Sequence, residues 1–87
     1  MHEASLISGL IRQIESIVHP PPVRKVVGVT VRIGPLCATN PDHLRDHFLL
    51  AAQGTIVEGA ELKVETMDDP ADPNAASVIL RSIEVAE

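Results

Sequence analysis

The sequence predicts an α/β domain of the α+β kind, with two helices packed on one face of a small three-stranded mixed sheet in the order α-β-α-β-β. Two observations carry this. The first sixteen residues after His2 repeat their apolar positions at helical spacing, and three later segments alternate or cluster β-branched residues as strands do. A third sets the scale: 87 residues make one domain, 1–87, near the lower limit for a single hydrophobic core. Phe48 is the only aromatic residue, so Val, Ile, Leu and Ala must fill that core.

From Glu3 to Val18, Leu6, Ile7, Leu10, Ile11, Ile14, Ile17 and Val18 form an apolar stripe, with Ser5, Ser8, Arg12, Glu15 and Ser16 opposite. The helix is expected to end at His19 and Pro20-Pro21-Pro22, because proline cannot continue the hydrogen-bond ladder and displaces its predecessor from helical geometry. Over Val23 to Ile33 the period changes to two, placing Val27, Val29, Val31 and Ile33 on one buried face. Gly34-Pro35 closes this strand. Asn40-Pro41 then supplies a helix cap with proline in the first turn, which predicts a second helix from Pro41 to about Gln53. Its inner stripe is Leu44, Phe48, Ala51 and Ala52, and Gly54 is its stop signal. Glu61 to Thr66 and Val78 to Val85 read as two further strands. The polar, proline-bearing stretch Met67 to Ser77 between them suits a loose hairpin joining neighbouring antiparallel strands, whereas the helical link between the first two strands favours a right-handed crossover.

The formal charge of −5 argues against binding a phosphate backbone, and no aromatic platform exists for stacking bases. Cys37 is the sole cysteine, which excludes an internal disulfide and a cysteine-built zinc site within one chain, and points to a reducing compartment. With no signal-peptide pattern and no apolar run long enough to span a bilayer, the expectation is a soluble cytoplasmic protein without a membrane partner. No phosphate-cradling glycine loop, nucleophile elbow or metalloprotease helix motif is present, so nothing suggests an enzyme.

Metal chemistry has more to stand on. In Met1-His2-Glu3 a free terminal amine, the deprotonated His2 backbone nitrogen and an imidazole nitrogen can close fused chelate rings on a square-planar ion, with the Glu3 amide or carboxylate nearby. Ni²⁺ and Cu²⁺ suit that geometry best. The residues alone leave open that these three simply begin a chain. His43 and His47 lie one helical turn apart and could share a metal, but the favoured reading is two solvated histidines flanking the Leu44/Phe48 stripe, with His47 partly covering it. Cys37 has no adjacent cationic residue to activate it and reads as a half-buried thiol, and His19 reads as a helix-end residue. Asp68, Asp69 and Asp72 depart from an EF-hand loop and read as a solvated acidic turn.

Met1-His2-Glu3 opening an amphipathic helix, then Val27 to Gly34, then Pro41-Asp42-His43-Leu44, then Gly54-Thr55 and Glu58-Gly59-Ala60-Glu61-Leu62, resemble the HypA/HybF family of nickel-insertion accessory proteins for hydrogenase and, in some bacteria, urease. The similarity runs through residues 1–66 and resumes at Ile79 to Val85. It implies a nickel metallochaperone holding Ni(II) through the Met1 amine, the His2 imidazole and the backbone nitrogens of His2 and Glu3. A nickel-handling GTPase and the hydrogenase large subunit are the partners it implies. One departure is large. The family's zinc subdomain, built from two Cys-x-x-Cys pairs between the second and third strands, is here replaced by a short turn at 67–77, so no zinc is expected. His43, His47 and Cys37 match no family ligand position. The alternative is therefore a zinc-free paralogue acting as a protein-interaction or regulatory module in which nickel is incidental. An exposed edge strand would also permit a homodimer.

Overall fold

The computed structural model describes residues 3–18, 25–37 and 40–86. Helix α1 spans Glu3–Val18, strand β1 Lys25–Ile33, helix α2 Pro41–Ala51, strand β2 Glu61–Thr66 and strand β3 Val78–Ala86. Both helices and the mixed sheet are thus as expected. Ile7, Leu10, Ile11, Ile14 and Val18 of α1 are buried, which is the 3.6-residue stripe read from the sequence. Ile17, counted in that stripe, is 57% exposed because its position turns it past the edge of the contact. In α2, Leu44, Phe48 and Ala52 are buried but Ala51 is not. Helix α2 also stops at Ala51, two residues short of Gln53, with Ala52 as its cap.

The strand order corrects the sequence reading. The sheet runs β2-β1-β3, with β1 parallel to β2 and antiparallel to β3. Residues 67–77 therefore do not form a hairpin between neighbours; they carry the chain across the end of β1 to its opposite side. The reason lies in β1, whose Val26, Val29, Val31 and Ile33 are all buried and which gains most from a central position. Hydrogen bonds fasten the crossing segment there: Met67 N–H donates to the Ile33 carbonyl (3.1 Å), Gly34 N–H to Ser77 (3.0 Å) and Leu36 N–H to Ala75 (2.8 Å). Gly34 is required by this approach, since a Cβ at that position would lie 1.9 Å from the Ala75 carbonyl oxygen.

Two bulges adjust the antiparallel pairing. The partners Val26↔Val85 and Gly28↔Glu84 leave Val27 as the extra residue of β1, and Thr30↔Ser82 followed by Val31↔Leu80 leaves Arg81 as the extra residue of β3. The first bulge overturns one detail of the alternation. Val26 occupies the buried face and Val27 is 43% exposed.

Helix α1 lies beside β3 and α2 beside β2, and the two helices touch each other. The segment from Ala52 to Ala60 is ordered by its own polar groups. Thr55 Oγ1 donates to the Ala52 carbonyl (2.7 Å) and accepts from Val57 N–H, while the Glu58 carboxylate accepts from Gly54 N–H (3.2 Å). Gly54 and Gly59 both take positive φ, which L side chains rarely adopt. The Gly-Thr…Glu-Gly-Ala pattern is thus a device for turning the chain from α2 into β2 and burying Val57 and Ala60 on the way.

Candidate metal-handling site

Met1 and His2, the centre of the sequence expectation, lie outside the described residues, as does His19. Glu3 is the first residue of α1, so the Met-His-Glu run directly opens that helix. The next turns of α1 are anchored through Ile7 and Leu10, both buried.

The structure places His43 and His47 on the exposed part of α2. The helix beneath them is fixed. Asn40 caps it from an extended conformation (φ −126°, ψ 163°), its Oδ1 accepting from His43 N–H at 3.0 Å, and Leu44 and Phe48, one residue beyond each histidine, are wholly buried. His47 lines a crevice of about 280 Å³ between the two helices, together with Ile7, Ser8, Leu50 and Ala51. It therefore belongs to the helix–helix boundary rather than to open solvent alone.

Other expected ligand candidates separate from this region. Cys37 is half-buried in the turn after β1, where its N–H donates to the Gly34 carbonyl (3.1 Å). Asp69 and Asp72 accept from the N–H groups of Ala71 and Asn74 at 2.9 and 2.8 Å, so both organise turns instead of facing a common cation. Among the described residues no three His, Cys, Asp or Glu side chains gather in a way that would hold a metal. The donor set does not fit a thiolate zinc site either, because Cys37 is the only cysteine of the chain.

A larger cavity, of about 570 Å³, lies between α2 and the edge strand β2, with Phe48, Leu49, Leu62 and Val64 among its walls. Arg45 stands at it, its Nε–H donating to the Leu62 carbonyl (3.2 Å) and its Nη1 3.5 Å from Asp42. Sequence reasoning missed this feature, since it depends on β2 being an edge. Its one outward signal was Leu49, which lines it and is 56% exposed. The opposite face of the sheet is charged and internally matched: Glu65 sits 3.3 Å from both Arg32 and Arg81, and Lys63 is 3.5 Å from Glu84. Such half-exposed pairs add little stability.

Comparison with known proteins shows the family and the fold. A family model described as "Hydrogenase/urease nickel incorporation, metallochaperone, hypA" matches residues 1–72. The chain is 43% identical over 67 residues to hydrogenase maturation factor HypA of Desulfitobacterium hafniense, covering 77% of this chain and 59% of that protein. To the factor of the same name from Archaeoglobus fulgidus it is 38% identical over 64 residues, covering 74% of this chain and 58% of the relative. The chain thus spans about three-fifths of the length of these relatives. The solution structure of the Ni metallochaperone HypA from Helicobacter pylori shares the fold, with a TM-score of 0.81 at 19% identity over 98% of this chain and 97% of that one. These relatives are named as maturation factors, not as catalysts.

Proposed function

Because the chain belongs to the HypA family of hydrogenase and urease nickel-incorporation metallochaperones, we propose that it carries Ni(II) to a nickel enzyme during maturation, foremost a nickel–iron hydrogenase. The observation that carries this reading is Met1-His2-Glu3 at the start of the matched span, directly opening α1. Nickel is the cargo. The Met1 amine, the His2 imidazole and the backbone nitrogens of His2 and Glu3 bind it in a square plane, an arrangement that d⁸ ions favour. A terminal clamp suits delivery, because it can be approached by an acceptor and unwound ligand by ligand. The partners follow from the family's work: a nickel-handling GTPase and the hydrogenase large subunit, met in a reducing cytoplasm that suits a chain with one cysteine.

The test is a nickel titration of the chain with a free Met1 amine beside a version bearing a Gly-Ser extension before Met1, followed by calorimetry and absorbance. The free chain develops the yellow band of square-planar nickel and the extended chain does not. Lowering the pH below neutrality weakens the yellow complex, since protons compete for the amine and the imidazole. A band of equal strength in both proteins, or one indifferent to pH, refutes the clamp.

A specific observation favours a second reading, that of a zinc-free paralogue working as a protein-interaction or regulatory module. Leu49, exposed by 56%, lines the α2–β2 cavity, and its neighbour Leu50, exposed by 70%, lines the crevice between the helices. A module of that kind keeps its partner binding when the amine is blocked and loses it on Leu49→Ser/Leu50→Ser; a carrier loses delivery in the first case. A homodimer through either edge strand belongs to this reading and is checked by sedimentation.

A further inference from the structure

We propose that β2 takes an extended, acidic and apolar segment of a partner protein as a fourth strand, with an apolar side chain seated in the α2–β2 cavity and a carboxylate received by Arg45. The inference rests on the interaction-module reading, whose partner it names by chemistry, and is independent of the nickel clamp.

The backbone supplies the first argument. Among the described residues β2 has β1 as its only neighbour, so its other edge presents backbone groups to which a further strand can pair. Arg45 Nε–H reaches the Leu62 carbonyl at 3.2 Å from α2, which places that carbonyl on the open edge. A side chain thus makes the hydrogen bond that the N–H of a neighbouring strand makes elsewhere in the sheet. With a repeat of two, the backbone of Val64 faces the same edge as that of Leu62.

The cavity supplies the second. Its volume of about 570 Å³ lies between this edge and α2, and Phe48, Leu49, Leu62 and Val64 give it apolar walls. A strand added about 4.8 Å from β2 directs alternate side chains to the helical side, where these walls meet them, and the rest to the charged face of the sheet. In such an addition main-chain hydrogen bonds supply affinity and pockets for alternate side chains supply selectivity.

Arg45 sets the charge of the occupant. Its other contact, Asp42 at 3.5 Å, has 93% of its side chain exposed and holds it weakly. Lys63, also at the cavity, has its Nζ engaged by Glu61 and Glu84, so Arg45 is the cation open to exchange. A neutral strand that takes the Leu62 carbonyl leaves Arg45 without that acceptor, whereas a strand bearing a carboxylate beside it offers a bidentate partner instead. The residue that guards the edge against indiscriminate pairing therefore makes pairing conditional on an acid.

The probe is the blocked peptide acetyl-Thr-Glu-Thr-Val-Thr-Glu-Thr-amide, in which Val lies two residues from a Glu in either chain direction. The full chain, labelled with ¹⁵N and free of nickel, is titrated to millimolar peptide and followed by NMR. The expected result is saturable shifts at Leu49, Leu62 and Val64, with slowed exchange of the Val64 amide. Affinity should fall about tenfold with Gln for both Glu residues of the peptide, or with Arg45→Gln in the protein, the scale of one charge-assisted hydrogen bond. Leu49→Ser should also weaken binding, and circular dichroism checks that both variants are folded. Two further peptides carry N-methyl groups on the Thr residues alone or on the Val and Glu residues alone; one of these sets faces β2, so one of the two should not bind. The proposal is overturned if the parent peptide does not bind, if its Gln form binds equally, or if the shifts fall instead on the crevice between the helices. Equal binding of both N-methylated peptides also overturns strand addition, while leaving an interaction module that grips side chains alone. A chain that sediments as a dimer and excludes the peptide assigns the edge to a second copy and overturns the proposal as well.

Discussion

Gly9 and Gly34 differ by what a methyl group would meet. Gly9 lies inside α1 with nothing within 4 Å of a built Cβ, so its only structural effect is the backbone freedom that folding must remove. Gly9→Ala should stabilise the protein by roughly 0.5–1 kcal/mol. At Gly34 the same methyl would meet the Ala75 backbone 1.9 Å away, and neither β1 nor the segment hydrogen-bonded to it can yield cheaply. Gly34→Ala should cost about 3 kcal/mol, the upper end of ordinary overpacking. Urea denaturation of both variants checks the pair: equal midpoints would show that the crossing segment is not held as described. The contrast also marks what single residues disclose. Gly34 reads as a strand terminator in sequence, and its closeness to Ala75 appears only once the chain has crossed back. Val27 is similar, because a bulge shifts it outward while the written alternation places it inside.

At the scale of elements, the helices were the most legible parts. The α1 stripe and the Asn40-Pro41 start of α2 are local signals, written within one or two turns of the residues they govern. The prediction belonging here is Asn40→Ala. It removes the acceptor for His43 N–H (3.0 Å) and should lower stability by about 1 kcal/mol, measured as a shift in the denaturation midpoint. Asn40→Ser, which keeps a capping oxygen, should recover most of the loss; a neutral Asn40→Ala would mean that buried Leu44 and Phe48 hold the first turn unaided. The site is legible only to a lesser degree. Sequence spacing brings His43 and His47 together on one helix, but that His47 borders Ile7 and Ser8 depends on how α1 and α2 meet, which no local pattern encodes. The α2–β2 cavity was illegible for the same reason, since its walls come from two elements and from the edge position of β2.

For the whole molecule the decisive fact is the strand order β2-β1-β3, in which β2 and β3, joined directly by residues 67–77, are not neighbours. The acidic, proline-bearing segment is compatible in composition with either a hairpin or a crossing, so the sequence alone did not choose between them. Geometry does choose. Strands on either side of β1 lie roughly 10 Å apart, twice the spacing of hydrogen-bonded neighbours, and a two-residue turn cannot bridge that gap. Replacing residues 67–77 by Asn-Gly should therefore prevent β3 from pairing with β1 and abolish cooperative unfolding. The same argument makes the middle of the segment permissive. Its fastening points are Met67, Ala75 and Ser77, each hydrogen-bonded to β1 or the turn after it, whereas Pro70 and Ala71 are exposed between them. Doubling a loop costs only about 0.6 kcal/mol in closure entropy, so a flexible Gly-Ser insertion of eleven residues after Pro70 should leave a two-state transition at slightly lower denaturant. On the proposed terminal clamp, nickel titration of that insertion variant should match the parent, because the segment does not carry α1, the helix that residue 3 begins. Tolerance of the Asn-Gly replacement would instead mean that β2 and β3 pair directly and that the central place of β1 is wrong.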